Sequence, residues 1–487
     1  MVKVGDMEFT SFTEAGVSVP SPVQLHLLPL LQPQKQVKPP LERLRKEAFS
    51  NRIAYKVGST SWTSSNHVFP AAFPRSHFHA THKPGPAPLG VHAEVLEGGK
   101  EVERQVRQAG MQQLEEQLSQ CPPETIYPPH TQQEAERIAQ TLADSGQPQL
   151  WGSIQRIVPD SVQKKGKPIT LFLSHANGFH KEIYEPMLET VLSELESNGS
   201  DVFVEEIWSM DTFNSGDAGI LNRDTLSVCT PWWDHSRDIQ QFLQNYLPPK
   251  SQTAKAQLER QNEGTGRKDR TIIAITHSHS GAAASMLFAG IADLCDGHIS
   301  VDPMMTRFDD FAIAALPGQH PLFKGALIRK DVFNNKQALI DYMETKPYFK
   351  AWDARVRENH IRYGFYPLAG HENEPDPPLT LCMTKWSEAC QFAFSWCGAW
   401  GALELTRPRN KGFTHIIWTE YARTVTQLQR VREQIATNFA KFGDRFSWSD
   451  LDANHLAVQE NPDLTGKEVA KIIKDSIVKH HKDSAKL

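Results

Sequence analysis

From residue 151 onward the sequence predicts an α/β fold, a mostly parallel β-sheet with helices on both faces. Short continuous apolar runs such as Ile169-Thr-Leu-Phe-Leu-Ser174 and Thr271-Ile-Ile-Ala-Ile-Thr276 have the texture of strands buried on both sides. Those runs alternate with helical stretches and not with hairpin turns, which favours parallel pairing. A largely helical segment rich in Trp, Phe and charge, residues 303–413, interrupts the alternation before the last two strands. It reads as a lid over the strand ends.

The elements follow in order. After the first run comes a helical stretch at about 184–197, then the strand Val202-Phe-Val-Glu-Glu-Ile-Trp208 and a helix at about 235–247. A basic, polar insertion at 250–270 precedes the third strand, and a small-residue helix at about 280–293 follows it. His298-Ile-Ser-Val-Asp302 is a fourth strand. Thr414-His-Ile-Ile-Trp418 and Arg445-Phe-Ser-Trp448 are the last two. The core is thus expected over 151–302 and 414–487. Residues 1–150 carry 16 of the 32 prolines, with Gln runs and the stretch Lys83-Pro-Gly-Pro-Ala-Pro88. Proline removes donors and fixes φ, so this third is expected to be a partly disordered extension. Its two helical segments, about 99–119 and 131–143, lack a wide apolar face.

Composition excludes several classes. Of 487 residues, 52 are Lys or Arg and 57 are Asp or Glu, a net charge of −5 that argues against a nucleic-acid partner or a polybasic membrane binder. No stretch approaches the 18–20 or so apolar residues of a membrane span; the richest, Leu379 to Leu405, is broken by Lys385, Glu388 and Gln391. The opening Met-Val-Lys-Val-Gly-Asp leads into no apolar run, so no secretory signal is expected. The six cysteines form no CxxC pair and read as reduced, buried thiols. Neither a phosphate loop nor a dinucleotide fingerprint is present, and no cofactor is expected. His77, His79, His82 and His92 have loose metal-like spacing but no Asp, Glu or Cys among them, so no metal is expected.

Three segments carry chemistry. Thr276-His277-Ser278-His279-Ser280-Gly281 joins a buried strand to a helix of small residues, where a serine forms a nucleophile elbow. The helix start aims free N–H groups at that serine. The usual Gly-x-Ser-x-Gly carries Thr276 and Ser280 in place of its glycines, a departure that also leaves open a non-hydrolytic binding protein of the same fold. Ser280 is a rival nucleophile; Ser278 is preferred because the apolar run ends two residues before it. Ser174-His175-Ala176-Asn177-Gly178 follows the first strand and supplies one oxyanion donor, from Asn177 or Gly178, with the N–H of His279 as the other. His455, just past the last strand, is the expected base. The acid is Asp302, at the sharp end Val301-Asp302-Pro303, or Glu420 after the strand 414–418. This Ser, acid, His order is that of the α/β-hydrolases, so the full expectation is an α/β-hydrolase fold with a helical lid inserted before the last two strands.

Further stretches carry a family resemblance: Leu173-Ser-His-Ala-Asn-Gly-Phe-His-Lys-Glu-Ile-Tyr-Glu-Pro186, Pro231-Trp-Trp-Asp-His-Ser-Arg-Asp238, Lys346-Pro-Tyr-Phe-Lys-Ala-Trp-Asp-Ala-Arg355 and Asn454-His-Leu-Ala-Val-Gln-Glu-Asn-Pro462. With the elbow and Val301-Asp-Pro303 they make residues 160–487 resemble the fungal peroxisomal α/β-hydrolases. That family includes acyl-CoA hydrolases of secondary-metabolite and host-selective toxin pathways and, more distantly, a yeast peroxisomal lipase. The resemblance implies a serine hydrolase of acyl-CoA thioesters or esters, and an acid after the strand that follows the elbow, which supports Asp302. The chain ends in Ala485-Lys486-Leu487, a variant of the Ser-Lys-Leu peroxisomal address, so an import receptor is an expected partner. Oligomeric state is left open, a homodimer included.

Overall fold

The apolar runs lie side by side in one nine-stranded sheet. In this computed structural model the described residues are 2–4, 7–9, 26–33, 37–82, 95–121, 129, 131–161, 166–197, 201–291, 293–307, 321–406 and 409–484. The sheet contains β1 (Arg52–Val57), β2 (Thr60–Pro70), β3 (Trp151–Pro159), β4 (Lys167–Ser174), β5 (Val202–Met210), β6 (Ile272–His277), β7 (Gly297–Val301), β8 (Phe413–Trp418) and β9 (Phe446–Asp450). Their spatial order is β9-β8-β7-β6-β4-β5-β3-β2-β1. Pairing is parallel from β5 through β4, β6, β7 and β8 to β9, and antiparallel from β5 through β3 and β2 to β1. Every residue of β6, β7 and β8 is buried, as strands covered on both faces must be.

Two helices, α1 (Val95–Ser119) and α2 (Gln132–Asp144), precede β3, and alternation divides the strands between two helical layers. Ile169, Leu171, Leu173, Ile273 and Ile275 meet α3 (Glu185–Ser197) on one face, and the long carboxyl-terminal helix Pro462–Ser484 packs on α3. Phe172 and Ala274 meet α4 (Trp232–Gln241) and α5 (His279–Gly290) on the other. Beside α5 lies α6 (Gly398–Leu405), whose Gly401 rests against the Ala282 carbonyl; a Cβ there would sit 2.7 Å from that oxygen.

The strand order reverses between β4 and β6, and the strand ends are in register there. Ser174 pairs Thr276, His277 pairs Val301, Ile417 pairs Val301, and Trp418 pairs Asp450. The residues that follow β4, β6, β7, β8 and β9 therefore emerge along one edge, the usual place for a ligand crevice in open α/β sheets. Residues 321–393, inserted between β7 and α6, build a cap of helices and a three-stranded antiparallel sheet (Val332–Phe333, Leu379–Leu381, Phe365–Pro367). Among the described residues no helix is long and apolar enough to cross a membrane. All six cysteines are free thiols and buried.

The expected core boundary at 151 is corrected. Residues 52–70 supply two sheet strands, and β2 pairs with β3 along its length, from Trp62 opposite Pro159 to Pro70 opposite Trp151. The N-terminal helices are also packed. Leu114 and Leu118 of the helix Val95–Ser119 join the Trp-rich cluster around α4, and Ala135, Ala139 and Leu142 of Gln132–Asp144 close over Leu28. Their apolar faces are narrow, yet a narrow stripe suffices when it meets a single neighbour.

Gly281, in the first turn of α5, is set by close approach. A Cβ there would lie 2.6 Å from Ser300 Oγ and 2.9 Å from Pro303 Cβ. Gly281→Ala is expected to cost about 1–3 kcal/mol through overpacking. Gly290→Ala, where the nearest atom is an Arg409 guanidinium nitrogen at 3.4 Å, is the matched control. Equal urea midpoints for the two variants would refute this account.

Candidate active site

Ser278 occupies the turn between β6 and α5 with φ 57° and ψ −119°, a region that side-chain-bearing residues rarely adopt. Hydrogen bonds hold it there: its N–H donates to Val301 O (3.0 Å), and its carbonyl accepts from Ala282 N (3.2 Å) and Met304 N (3.1 Å). The effect is to lift Oγ clear of the backbone at the strand-end edge. Asp302 has φ 40°, and its N–H donates to Ile417 O (2.7 Å). The turns after β6 and β7 thus brace each other.

His455 bridges them. Its Nε2 lies 2.9 Å from Ser278 Oγ and its Nδ1 2.7 Å from Asp302 Oδ2. Asp302 also accepts from Thr419 N (3.0 Å, Oδ1) and Thr419 Oγ1 (2.7 Å, Oδ2). Burial pushes the Asp302 carboxyl up, but the hydrogen bond and charge of His455 and the two Thr419 donors outweigh it, holding the group below the usual carboxylate range. It therefore stays ionised where it meets Nδ1, fixing the tautomer that leaves Nε2 free to accept a proton from Ser278. The Tyr421 ring packs against His455 at 5.2 Å, and His277 Nε2 donates to His455 O (2.8 Å), anchoring the loop that carries the imidazole.

The two rival assignments separate by location. Glu420 is exposed, its N–H spent on Ala453 O, and Asp302 is the carboxylate hydrogen-bonded to His455. Ser280 is fully buried, and its hydroxyl donates to His175 O, away from His455. The residues that stand where glycines are usual have work of their own. Thr276 Oγ1 is hydrogen-bonded to His298 Nε2 (2.8 Å) on β7. Ser280 is the middle of a relay: His235 Nε2–H donates to Ser174 Oγ (2.7 Å), Ser174 Oγ to Ser280 Oγ (3.0 Å), and Ser280 to His175 O.

That relay ends on the turn after β4. His175 Nδ1 donates to Ala176 O (2.8 Å), while its Nε2 accepts from Thr212 N (3.2 Å). Phe179 N closes onto Ala176 O at 3.4 Å, leaving Asn177 and Gly178 at the tip, with Gly178 at φ 86°. The cap rests here: Asn177 Nδ2 donates to Glu388 O (3.1 Å), and the Glu388 carboxylate, paired with Arg329, lies beside Gly178. His279 opens α5 with its ring edge-on to Trp232 (4.8 Å) and stacked with His235 (5.7 Å). Thr419 and the Ser174–His235 pair escape sequence reasoning because polar residues next to strand ends are common. Their signal is only position, one residue beyond β8 and the last residue of β4. Ala485, Lys486 and Leu487 lie outside the described residues.

Comparison with known proteins fits this geometry. The chain is 32% identical over 78 residues to the type I acyl-CoA thioesterase mpaH' of Penicillium brevicompactum, covering 16% of this chain and 17% of that protein. It is 26% identical over 200 residues to the type I acyl-CoA thioesterase mpaH of Penicillium roqueforti, covering 41% and 40%. The chain thus spans well under half the length of the curated relatives it matches. The peroxisomal α/β-hydrolase Lpx1 of Saccharomyces cerevisiae superposes with a TM-score of 0.57 at 14% identity, over 85% of this chain and 89% of that one. No family model matches. The chain has the α/β-hydrolase fold, and its likeness to the fungal hydrolases is borne out.

Burial has a measurable consequence around this site. Desolvation pushes His175, His277, His279 and His298 each down to about 3. In the unfolded chain these rings titrate near pH 6.5. Between about pH 6.5 and pH 3 the unfolded state binds protons that the native state refuses, so stability is complete above that window and falls as pH falls through it. Each ring contributes about 1.4 kcal/mol per pH unit, and four together on the order of 5 kcal/mol. Thermal midpoints are expected to drop steeply from pH 6.5 to 5, with net proton uptake on unfolding in calorimetry. A flat profile would mean that these rings are charged in the fold.

Proposed function

We propose that the protein is a serine hydrolase that cleaves acyl-CoA thioesters. The observation that carries this reading is the unbroken hydrogen-bond chain from Ser278 through His455 to Asp302. In the reaction, Ser278 Oγ attacks the acyl carbonyl as His455 Nε2 takes its proton. Asp302 stabilises the resulting imidazolium. The backbone N–H groups of Asn177 and His279 receive the developing oxyanion, each donor of this kind being worth roughly 10²–10³ in rate. Collapse breaks the C–S bond, and His455 returns the proton to the departing thiolate. Water, deprotonated by the same imidazole, then attacks the acyl-serine, releasing the carboxylic acid and restoring Ser278.

The thioester is favoured over an oxygen ester by the two fungal relatives, which are named acyl-CoA thioesterases. Ser278→Ala is expected to abolish both fluorophosphonate labelling and hydrolysis, whereas Ser280→Ala keeps the label. Asp302→Asn should lower kcat by about 10³–10⁴ through the wrong tautomer, and Glu420→Gln should leave it unchanged. Labelling lost only in Ser280→Ala would overturn the assignment. Faster turnover of p-nitrophenyl esters than of a series of acyl-CoA thioesters would make the protein a carboxylic-ester hydrolase instead.

The segment Ala485-Lys486-Leu487 and the likeness to the peroxisomal α/β-hydrolase Lpx1 support import into the peroxisome matrix. The substrate there would be the CoA ester of a secondary metabolite shortened by β-oxidation. A fluorescent protein fused to the amino terminus is expected in peroxisomes, and in the cytosol after deletion of Leu487. An identical distribution of the two fusions would refute the address.

A further inference from the structure

Outside the catalytic crevice, three metal-ligating side chains from distant parts of the chain meet in the apolar interior. His77 lies on the segment after β2, Cys121 just past the helix Val95–Ser119, and Cys229 on the approach to α4. Their ligand atoms lie within 4.8 Å of one another, with His77 Nδ1 and Cys121 Sγ 4.0 Å apart. All three residues are buried: 7%, 4% and 0% exposed. Of the histidines read together in the sequence, His79 stays beside His77: its N–H donates to His77 Nδ1 (3.1 Å), and the two rings lie 5.5 Å apart. His79 is exposed, His82 is half-buried and outside the cluster, His92 lies outside the described residues, and His77 turns inward, toward cysteines far along the chain.

The surroundings hold these groups in place. Arg75, two residues before His77, is fully buried and paired with Asp238 (2.6 Å) and Asp234 (3.4 Å) of α4. Asp234 also accepts from Ser76 N and Ser76 Oγ, the latter at 2.6 Å. Arg237 donates to Pro74 O, and Gln147 Nε2 donates to His77 O at 2.8 Å. The His77 segment is thereby fastened to the helix that Cys229 leads into. Cys121 is placed by the helical turn before it, its thiol directed at Gln117 O (3.7 Å). Leu114, Leu118, Trp232 and Trp233 pack around the two cysteines. Packing alone accounts for a buried thiol, a small apolar group. It does not account for two thiols and an imidazole converging from three segments within a fixed polar scaffold.

We propose that His77, Cys121 and Cys229 form a zinc site that staples the N-terminal region to the core. Two thiolates and one neutral imidazole are a soft donor set suited to a d¹⁰ divalent ion. Binding releases the two thiol protons to solvent and leaves the ion neutralised, as an apolar cluster requires. The three protein ligands occupy three corners of a tetrahedron and leave the fourth to a water or other small donor. Asp234, Asp238 and Gln147 orient the ligand-bearing segments as outer-shell groups. The site is independent of the Ser278 chemistry, and its readout is the metal itself.

The test uses the full chain, purified without chelator from zinc-supplemented culture. Elemental analysis is expected to give about one zinc per chain, reduced to background in Cys121→Ser and in Cys229→Ser and retained in Cys295→Ser, another buried cysteine. Replacing zinc by Co²⁺ in the wild-type protein should produce a thiolate-to-cobalt charge-transfer band in the near ultraviolet, which keeps the test independent of whether the variants fold. Wild-type protein that carries only background metal and gives no such band with Co²⁺ overturns the proposal. So does an unreduced digest in which Cys121 and Cys229 are joined as a disulfide.

Discussion

The left-handed backbone of Ser278 is the constraint on which the crevice depends. Such a conformation costs on the order of 1–3 kcal/mol for a residue with a side chain. It persists because β6 and β7 are neighbours: the strand pairing that aligns His277 with Val301 also gives the Ser278 N–H the Val301 carbonyl as its acceptor. Met304 N closes the arrangement by donating to the Ser278 carbonyl. The hydroxyl and the Asp302 carboxylate are thus presented by two turns that are bonded to each other. His455 is carried on a separate loop after β9 and reaches both.

The departure from glycine on either side of Ser278 follows from the same close packing. Thr276 and Ser280 fit because their hydroxyls find partners on β7 and at the end of β4. Where no side chain fits at all, against Ser300 and Pro303, the residue is Gly281. The Ser280 relay joins the elbow helix to the His175 peptide, two residues before Asn177. The elbow and the turn after β4 are therefore held as one piece, with the cap seated on the latter through Asn177 and Glu388.

How much of this was legible in the sequence depends on where each residue finds its partners. Strands β4, β6, β7 and β8 carry short, mostly apolar runs because both faces are covered, so they announce themselves. The Ser278 elbow and His455 were readable from their places at strand ends. The choice between Asp302 and Glu420 was not, since both follow a strand; Thr419, distant in sequence, supplies two donors to one of them and none of those bonds is local. Strands β1 and β2 lack such a run: charged residues interrupt the apolar ones in β1, and Ser, Thr, Asn and His fill much of β2. Their polar groups are satisfied only in the assembled fold, Arg52 by Glu185 and Ser64 by Gln155. His77 was hidden in the same way, its neighbours coming from segments that share no motif with it.

The β2–β3 ribbon bears on how the chain can be handled. Paired from Trp62 to Pro70, it shields the side of β3 that would otherwise bare a row of main-chain donors and acceptors beside the Phe69-covered Gly152. A fragment begun at Trp151 would expose that row as a template for self-association. Such fragments should precipitate as fibrillar or amorphous material and not persist as smaller monomers, so the β1–β2 pair protects solubility as well as completing the sheet.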